Sequence, residues 1–240
     1  MRFIILAAGQ GTRMRPFTKM TPKCLMQLGH NETVAERMVR ILRKISPSAE
    51  IVYVLGFMHK DIHAVLPDDI EVIQNPFFAV SNSIASLWFA RDRLDDDTIL
   101  INGDIVLSES ALIEIAALKN PATIILDSSK RDNLDCGVIV DGSRVTLMAK
   151  SFSSGFGEYA GVIQMNAETA RAVKEQTEDM IESNDLDNWA EYALIQLIIS
   201  NDLDVSYLDI AGHKWAELDS LSDLIIARDV QAMEFGKRPY

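Results

Sequence analysis

The chain begins with a stretch that lacks acid. No Asp or Glu precedes Glu32, although the 240-residue sequence carries 35 of them against 23 Lys and Arg, for a formal net charge of −12. Arg2, Arg13, Arg15, Lys19 and Lys23 all fall within that acid-free stretch. The strongly negative total argues against non-specific binding to nucleic acid or to an anionic membrane. A cationic segment inside an acidic protein points to a site for an anion. Chance clustering on a solvated loop is the plain alternative.

Other absences narrow the class. No apolar run approaches the ~20 residues of a membrane span. The run from Phe3 to Ala8 is shorter than a signal-peptide core of roughly 7–15 residues, and glycines and basic residues follow it instead of a cleavage site. We expect a soluble, cytoplasmic chain without membrane insertion. The two cysteines, Cys24 and Cys136, fit no metal or disulfide pattern, in keeping with a reducing compartment. His59 and His63 are four apart but have no further ligands nearby in sequence, so they read as surface residues. There is no repeat, no low-complexity segment and no linker, so residues 1–240 read as one domain.

What is present alternates. Strand-like runs at 3–6, 50–55, 70–73, 97–102 and 122–126 are separated by helical patterns at 34–45, 60–66, 81–93 and 109–118. This order predicts an α/β fold of three layers, Rossmann-like and GT-A-like, with a mixed, mostly parallel central sheet. The second half is less regular. Runs at 138–140 and 144–148 flank Asp141-Gly142-Ser143, a hairpin signal, and predict a small β-rich insertion. A strand at 159–165, helices at 167–181 and 186–199, a strand at 205–208 and a helix at 221–235 complete the chain. In open α/β sheets ligands bind beyond the C-terminal ends of the strands. Three polar clusters fall there: the loop after Leu6, Gly103-Asp104, and Glu217 with Asp219.

The first of these is "LAAGQGTRMRPFTKMTPKCL". Gly9 and Gly11 permit a sharp turn and close approach of backbone N–H groups to a phosphate. Arg13 adds a fork of donors and Lys23 a point charge, while Pro16 and Pro22 stiffen the loop. No Gly-Lys-Ser/Thr follows, so this is not a Walker A loop, and the third glycine of a dinucleotide fingerprint is missing. These residues resemble the signature of the nucleotidyltransferase (NTP transferase) family: Leu-Ala-Ala-Gly-x-Gly-Thr-Arg, a spacer, then Pro-Lys-x-Leu. The match runs over about 20 consecutive residues.

The resemblance implies roles. Leu6, Ala7, Ala8, Gly9, Gly11 and Thr12 would hold the nucleotide, Arg13 the β- and γ-phosphates, and Lys23 the α-phosphate or the incoming phosphate. Arg13 and Lys23 are thus the catalytic candidates. Asp104, directly after a strand, would bind Mg²⁺, a cation that prefers oxygen ligands. Asp219 would complete that site. The other reading of Asp219 is a helix N-cap, since Asp219, Ser220 and Asp223 cluster before an apolar helix. If 217–219 is extended, Glu217 and Asp219 share a face.

Within the family, "NPFFAVSNSIASL" lacks the glycine-rich turn of hexose-1-phosphate enzymes and resembles the phosphocholine and phosphonate cytidylyltransferase branch. Asn82 and Ser83 would then read a cytosine edge, with helix capping as the alternative. Residues Lys150, Glu158, Trp189 and Glu191 become acceptor-binding candidates. Carboxylates and an aromatic face suit an ammonium by charge and cation–π attraction, although Trp189 also fits a core position. The resemblance implies a Mg²⁺-dependent transfer of CMP from CTP to a small phosphorylated or phosphonate acceptor, phosphocholine-like, with release of pyrophosphate. Residues 1–120 would form the NTP-binding half and 121–240 the acceptor half; a homo-oligomer is compatible with the sequence. Rival readings are a sugar-1-phosphate nucleotidyltransferase using UTP or dTTP, and a non-catalytic nucleotide-binding regulator.

Overall fold

A computed structural model describes residues 1–200 and 202–236. Its strands, in chain order, are β1 (Arg2–Ala7), β2 (Gln27–Gly29), β3 (Glu32–Thr33), β4 (Glu50–Leu55), β5 (Glu71–Gln74), β6 (Thr98–Asn102), β7 (Ile105–Leu107), β8 (Ala122–Asp127), β9 (Asp132–Asp141), β10 (Arg144–Ser154), β11 (Gly157–Met165), β12 (Ser206–Asp209) and β13 (Trp215–Glu217). The helices are α1 (Val34–Ile45), α2 (His59–His63), α3 (Ser83–Phe89), α4 (Glu109–Ala116), α5 (Ala167–Glu182), α6 (Glu191–Ile199) and α7 (Leu221–Glu234).

Nine strands form one mixed sheet in the order β5-β4-β1-β6-β11-β8-β12-β10-β9. β1 lies at the centre of its parallel side, pairing β4 from Arg2↔Glu50 to Ala7↔Leu55 and β6 from Arg2↔Thr98 to Leu6↔Asn102. All six β1 residues are buried, as a strand covered on both faces requires. Its side chains divide by period two. Ile4 and Leu6 join a core packed by α3, α5 and α6, while Phe3, Ile5 and Ala7 join the opposite core, packed by α1, α2 and α4. The three-layer α/β expectation holds.

The sheet changes character at β11, which runs antiparallel to both β6 and β8. Strands β9 and β10 form the expected hairpin but extend well beyond its turn, and β9 also pairs with β11 at Gly157↔Val138. The hairpin thereby folds back onto the middle of the sheet. Antiparallel neighbours need no crossover helix, which explains why regular β-α alternation fades in this part of the sequence.

Two short pairs and one helix lie outside the sheet's main order. β13 pairs β7, and α7 packs over them with Val106, Ala216, Leu218, Ala227 and Val230 in a third core. The end of the described chain therefore returns to the first half. Several expected bounds shift. The helix expected at 81–93 is α3 followed by a short 3-10 turn at Arg91–Arg93, and the one expected from 186 starts only at Glu191. Backbone bonds to the start of α3 hold residues 186–188 out of helix. Among the described residues, no helix is long and apolar enough to cross a membrane.

Candidate active site

The acid-free loop leaves β1 at Ala7 and folds as three 3-10 turns, Thr12–Met14, Phe17–Lys19 and Lys23–Leu25. Gly11 is left-handed (φ 61°, ψ 42°), a conformation that costs a glycine little. A Cβ there would also lie 3.1 Å from the Lys23 stem, so this glycine lets the lysine cross close to the turn. Thr18 fixes the far side of the loop, its hydroxyl donating to Gly11 O at 2.6 Å. Gly9 differs from the notion that both glycines make the turn: its φ is not positive and a Cβ would meet nothing within 4 Å. A Cβ at this position would project into open space beside the backbone.

Behind the loop, Gly103 donates its N–H to Leu6 O at 2.9 Å. A Cβ at Gly103 would fall 2.7 Å from the Ala7 Cβ, so β1 and β6 can end this close together only with glycine here. The next residue, Asp104, is thus delivered against the opening loop. Lys23 Nζ lies 2.7 Å from Asp104 Oδ2 and 2.7 Å from Asp219 Oδ1. Arg13 reaches Asp219 Oδ2 at 2.5 Å and Asp135 at 3.5 Å.

Glu217 joins them. One oxygen each from Asp104, Glu217 and Asp219 lie within 4.8 Å of one another. Burial pushes the Glu217 carboxyl up to about 7, and the neighbouring charges of Asp104 and Asp219 push the same way. Burial lowers the Lys23 ammonium's affinity for its proton, but the two carboxylates outweigh it and the net shift is upward. The two readings of Asp219 now separate. Ser220 is the N-cap of α7, in a capping box with Asp223, so the Asp219 carboxylate is not the cap.

Arg13, Lys23, Asp104 and Glu217 border one cavity of about 270 Å³; Asp219 is not in its lining and joins it through Lys23 and Arg13. The expected nucleotide residues Leu6, Ala7, Ala8, Gly9, Gly11 and Thr12 line it, as do Asn82, Ser83, Lys150, Trp189 and Glu191. Glu158 is not among the lining residues. Its two oxygens accept the backbone N–H groups of Asp135 and Cys136, which tie β11 to β9.

Asn82 and Ser83 line the cavity and also brace it. Asn82 caps α3, its Oδ1 accepting from Ser83 N at 2.8 Å, and donates from Nδ2 to Asp187 O at 3.1 Å. Asn82 N donates to Leu186 O and Ile84 N to Asn188 O, while Ala190 N donates to the Ser83 hydroxyl. The Ser83 hydroxyl keeps its own proton to donate to a ligand. Residues 82–84 are thus laced to 186–190, the segment that carries Trp189.

Trp189 is half-buried at the cavity wall, and Lys150 Nζ lies 4.9 Å from its ring centroid. Glu191 is buried; its Oε1 accepts from Asn102 Nδ2 at 2.8 Å, and the Tyr159 phenol stands against the same carboxylate. Asn102 is a cavity residue that sequence reasoning missed, as are Asn75 and Ser86, which bond to each other at 3.0 Å. Asn102 at the end of β6 and Asn75 just beyond β5 could have been found by position; Ser86 lies inside α3, one turn on from Asn82. His59 and His63 contribute nothing here; among the described residues, Asp104, Glu217 and Asp219 form the one cluster that could hold a metal ion.

The parallel side of the sheet opens at its C-terminal edge into a cavity with a glycine turn, two cations and carboxylates, the place where open α/β sheets bind their ligands. Residues 3–158 match the model of the MobA-like NTP transferase domain, and the chain belongs to that family.

Similar proteins include the choline-phosphate cytidylyltransferase of Haemophilus influenzae, 32% identical over 47% of this chain and 48% of that protein. The CTP:phosphoglutamine cytidylyltransferase of Campylobacter jejuni is 24% identical over 93% of this chain and 98% of that protein. The solved CTP:phosphocholine cytidylyltransferase of Streptococcus pneumoniae shares the fold, with a TM-score of 0.79 and 20% identity over 96% of this chain and 98% of that one. The chain spans about half the length, or less, of several curated relatives that it matches.

Proposed function

We propose that this protein transfers CMP from CTP to a small phosphorylated or phosphonate acceptor, releases pyrophosphate, and works with Mg²⁺. The observation that carries the reading is the convergence of Arg13, Lys23, Asp104 and Glu217 on one cavity beside the Gly11 turn, with Asp219 bonded to both cations. The cytidylyltransferases among the similar proteins support the choice of CTP.

The donor set fits the metal. Three carboxylates offer only oxygen, the ligand that Mg²⁺ prefers. The Lys23 ammonium already stands between two of them as a cation. Asp104 and Asp219, with Glu217 beside them, would hold the ion. When bound, Mg²⁺ supplies charge neutralisation at the triphosphate and a template for alignment.

The remaining chemistry belongs to the chain. The nucleophile is an acceptor phosphate or phosphonate oxygen, already ionised at neutral pH, so no general base is needed. It forms a bond to the α-phosphorus of CTP as the bond from that phosphorus to the bridging oxygen breaks. Pyrophosphate leaves with the electron pair. The obstacle is repulsion between two anions. Arg13 and Lys23 counter it, and the N–H groups of the opening loop orient the triphosphate. Ser83 donates to the base, while Lys150, Trp189 and Glu191 face the acceptor.

The test is pyrophosphate release over a matrix of CTP, UTP, dTTP, ATP and GTP against several phospho-acceptors with Mg²⁺. CTP should lead. Release with UTP or dTTP and a hexose phosphate, but not with CTP, overturns this reading in favour of a sugar-activating enzyme. Tight nucleotide binding without release for any pair marks a regulator instead.

A further inference from the structure

The acceptor wall of the cavity already contains a cation. Lys150 rises from β10, where it pairs across to Cys136 of β9, and its ammonium lies over the Trp189 ring at 4.9 Å. Burial works against that charge, the Cys136 sulfur and, less strongly, Glu191 and Glu217 favour it, and its proton affinity ends above the ordinary value. The aromatic face that would suit the cationic head of an acceptor is therefore occupied by the chain's own ammonium. A trimethylammonium group brought to Trp189 would meet a like charge at van der Waals range.

Glu191 does not restore the balance. It is 4% exposed, Asn102 donates to its Oε1, and the Tyr159 phenol stands against the same carboxylate. A head without charge meets the Trp189 wall without opposing Lys150.

Resting on the proposed CMP transfer, we propose that Lys150 is a specificity-determining residue that takes the place of an acceptor's ammonium, so that the enzyme selects phosphomonoesters or phosphonates with uncharged heads. The paired acceptors that test this are phosphocholine and its carbon isostere, in which tert-butyl replaces trimethylammonium; they differ in charge and hardly in shape.

The wild-type enzyme should prefer the isostere over phosphocholine by at least about tenfold in kcat/KM with CTP, and should likewise place glycerol phosphate, whose head is also uncharged, above phosphocholine. Lys150→Met should shift the isostere-to-phosphocholine ratio toward phosphocholine by a similar factor, and Lys150→Arg should keep the wild-type ratio. Circular dichroism establishes that each variant is folded. Binding of the same three acceptors, measured by titration calorimetry without turnover, gives the head-group preference independently of catalysis. Equal use of phosphocholine and its isostere by the wild type overturns the inference. So does a Lys150→Met variant that weakens all acceptors alike, which leaves Lys150 a phosphate contact only. Loss of turnover with every nucleotide, together with an intact head-group preference in binding, overturns the CMP-transfer reading and spares this one.

Discussion

The Lys23 ammonium lies 2.7 Å from Asp104 Oδ2, across 81 residues of sequence. It is equally close to Asp219 Oδ1, so one side chain of the opening loop closes the acidic cluster. Its ammonium and a divalent ion call on the same oxygens. Lys23→Met should therefore lower stability without divalent ions by on the order of 3 kcal/mol, because partly buried carboxylates lose their cation. Mg²⁺ should raise the melting temperature of this variant more than that of the wild type. Turnover should fall at least about a hundredfold. An Mg²⁺ response no larger than the wild type's would separate the ion from these carboxylates.

Asp104→Ala isolates the metal assignment. The side chain is 22% exposed and is not part of any core, so the fold should survive. Pyrophosphate release should drop by at least about a hundredfold at any Mg²⁺ concentration. Near-normal activity in a folded Asp104→Ala protein would sink the assignment.

Glu217 makes the site pH-dependent. Its carboxyl is held at about 7 by burial and by Asp104 and Asp219, against an ordinary 4.5. Between those values the folded chain retains a proton that the unfolded chain has released. Stability without divalent ions should consequently decline as pH rises through that window. Mg²⁺ competes with the same proton, so the concentration needed for half-maximal stabilisation should fall as pH rises to 7 and then level. Glu217→Gln should flatten both trends, as followed by thermal melts across Mg²⁺ and pH. A wild-type profile as flat as the variant's would place the titration elsewhere.

The end of α7 is anchored by a buried charge. Arg37 is 1% exposed, donates to Leu107 O at 2.7 Å and pairs with Glu234. Arg40 joins Glu234 to Glu32. Glu234→Gln leaves the Arg37 charge without its counter-ion and should cost about 3–5 kcal/mol in urea unfolding. Arg37→Met combined with Glu234→Leu should recover most of that loss, since it removes both charges. A double variant no better than the single one would show that α7 needs the ion pair itself.

Much of this architecture was legible in residue order. β1, α1, β4 and β6 announce themselves by apolar period, and the loop after β1 carries glycines, cations and prolines in a recognisable register. Asp104 was legible as a carboxylate at a strand end, and Asp219 through the family resemblance. Other features depend on tertiary bonds that no local pattern encodes. Ser220, not Asp219, caps α7, because Asp219 is drawn to Lys23 and Arg13. Glu158 faces backbone amides of β9 because β9 pairs β11. Strands β2, β3, β7 and β13 contain only two or three residues each, too few for alternation to register.

The lacing between 82–84 and 186–190 bears on how specificity can change in this protein. The main-chain bonds from Asn82 to Leu186 and from Ile84 to Asn188 join the cavity wall formed by Asn82 and Ser83 to the wall that carries Trp189. An alteration in either strip displaces the other. Grafts, chimaeras and inherited substitutions should accordingly succeed as matched pairs, with the two strips exchanged as a single cassette despite the hundred or so residues that separate them.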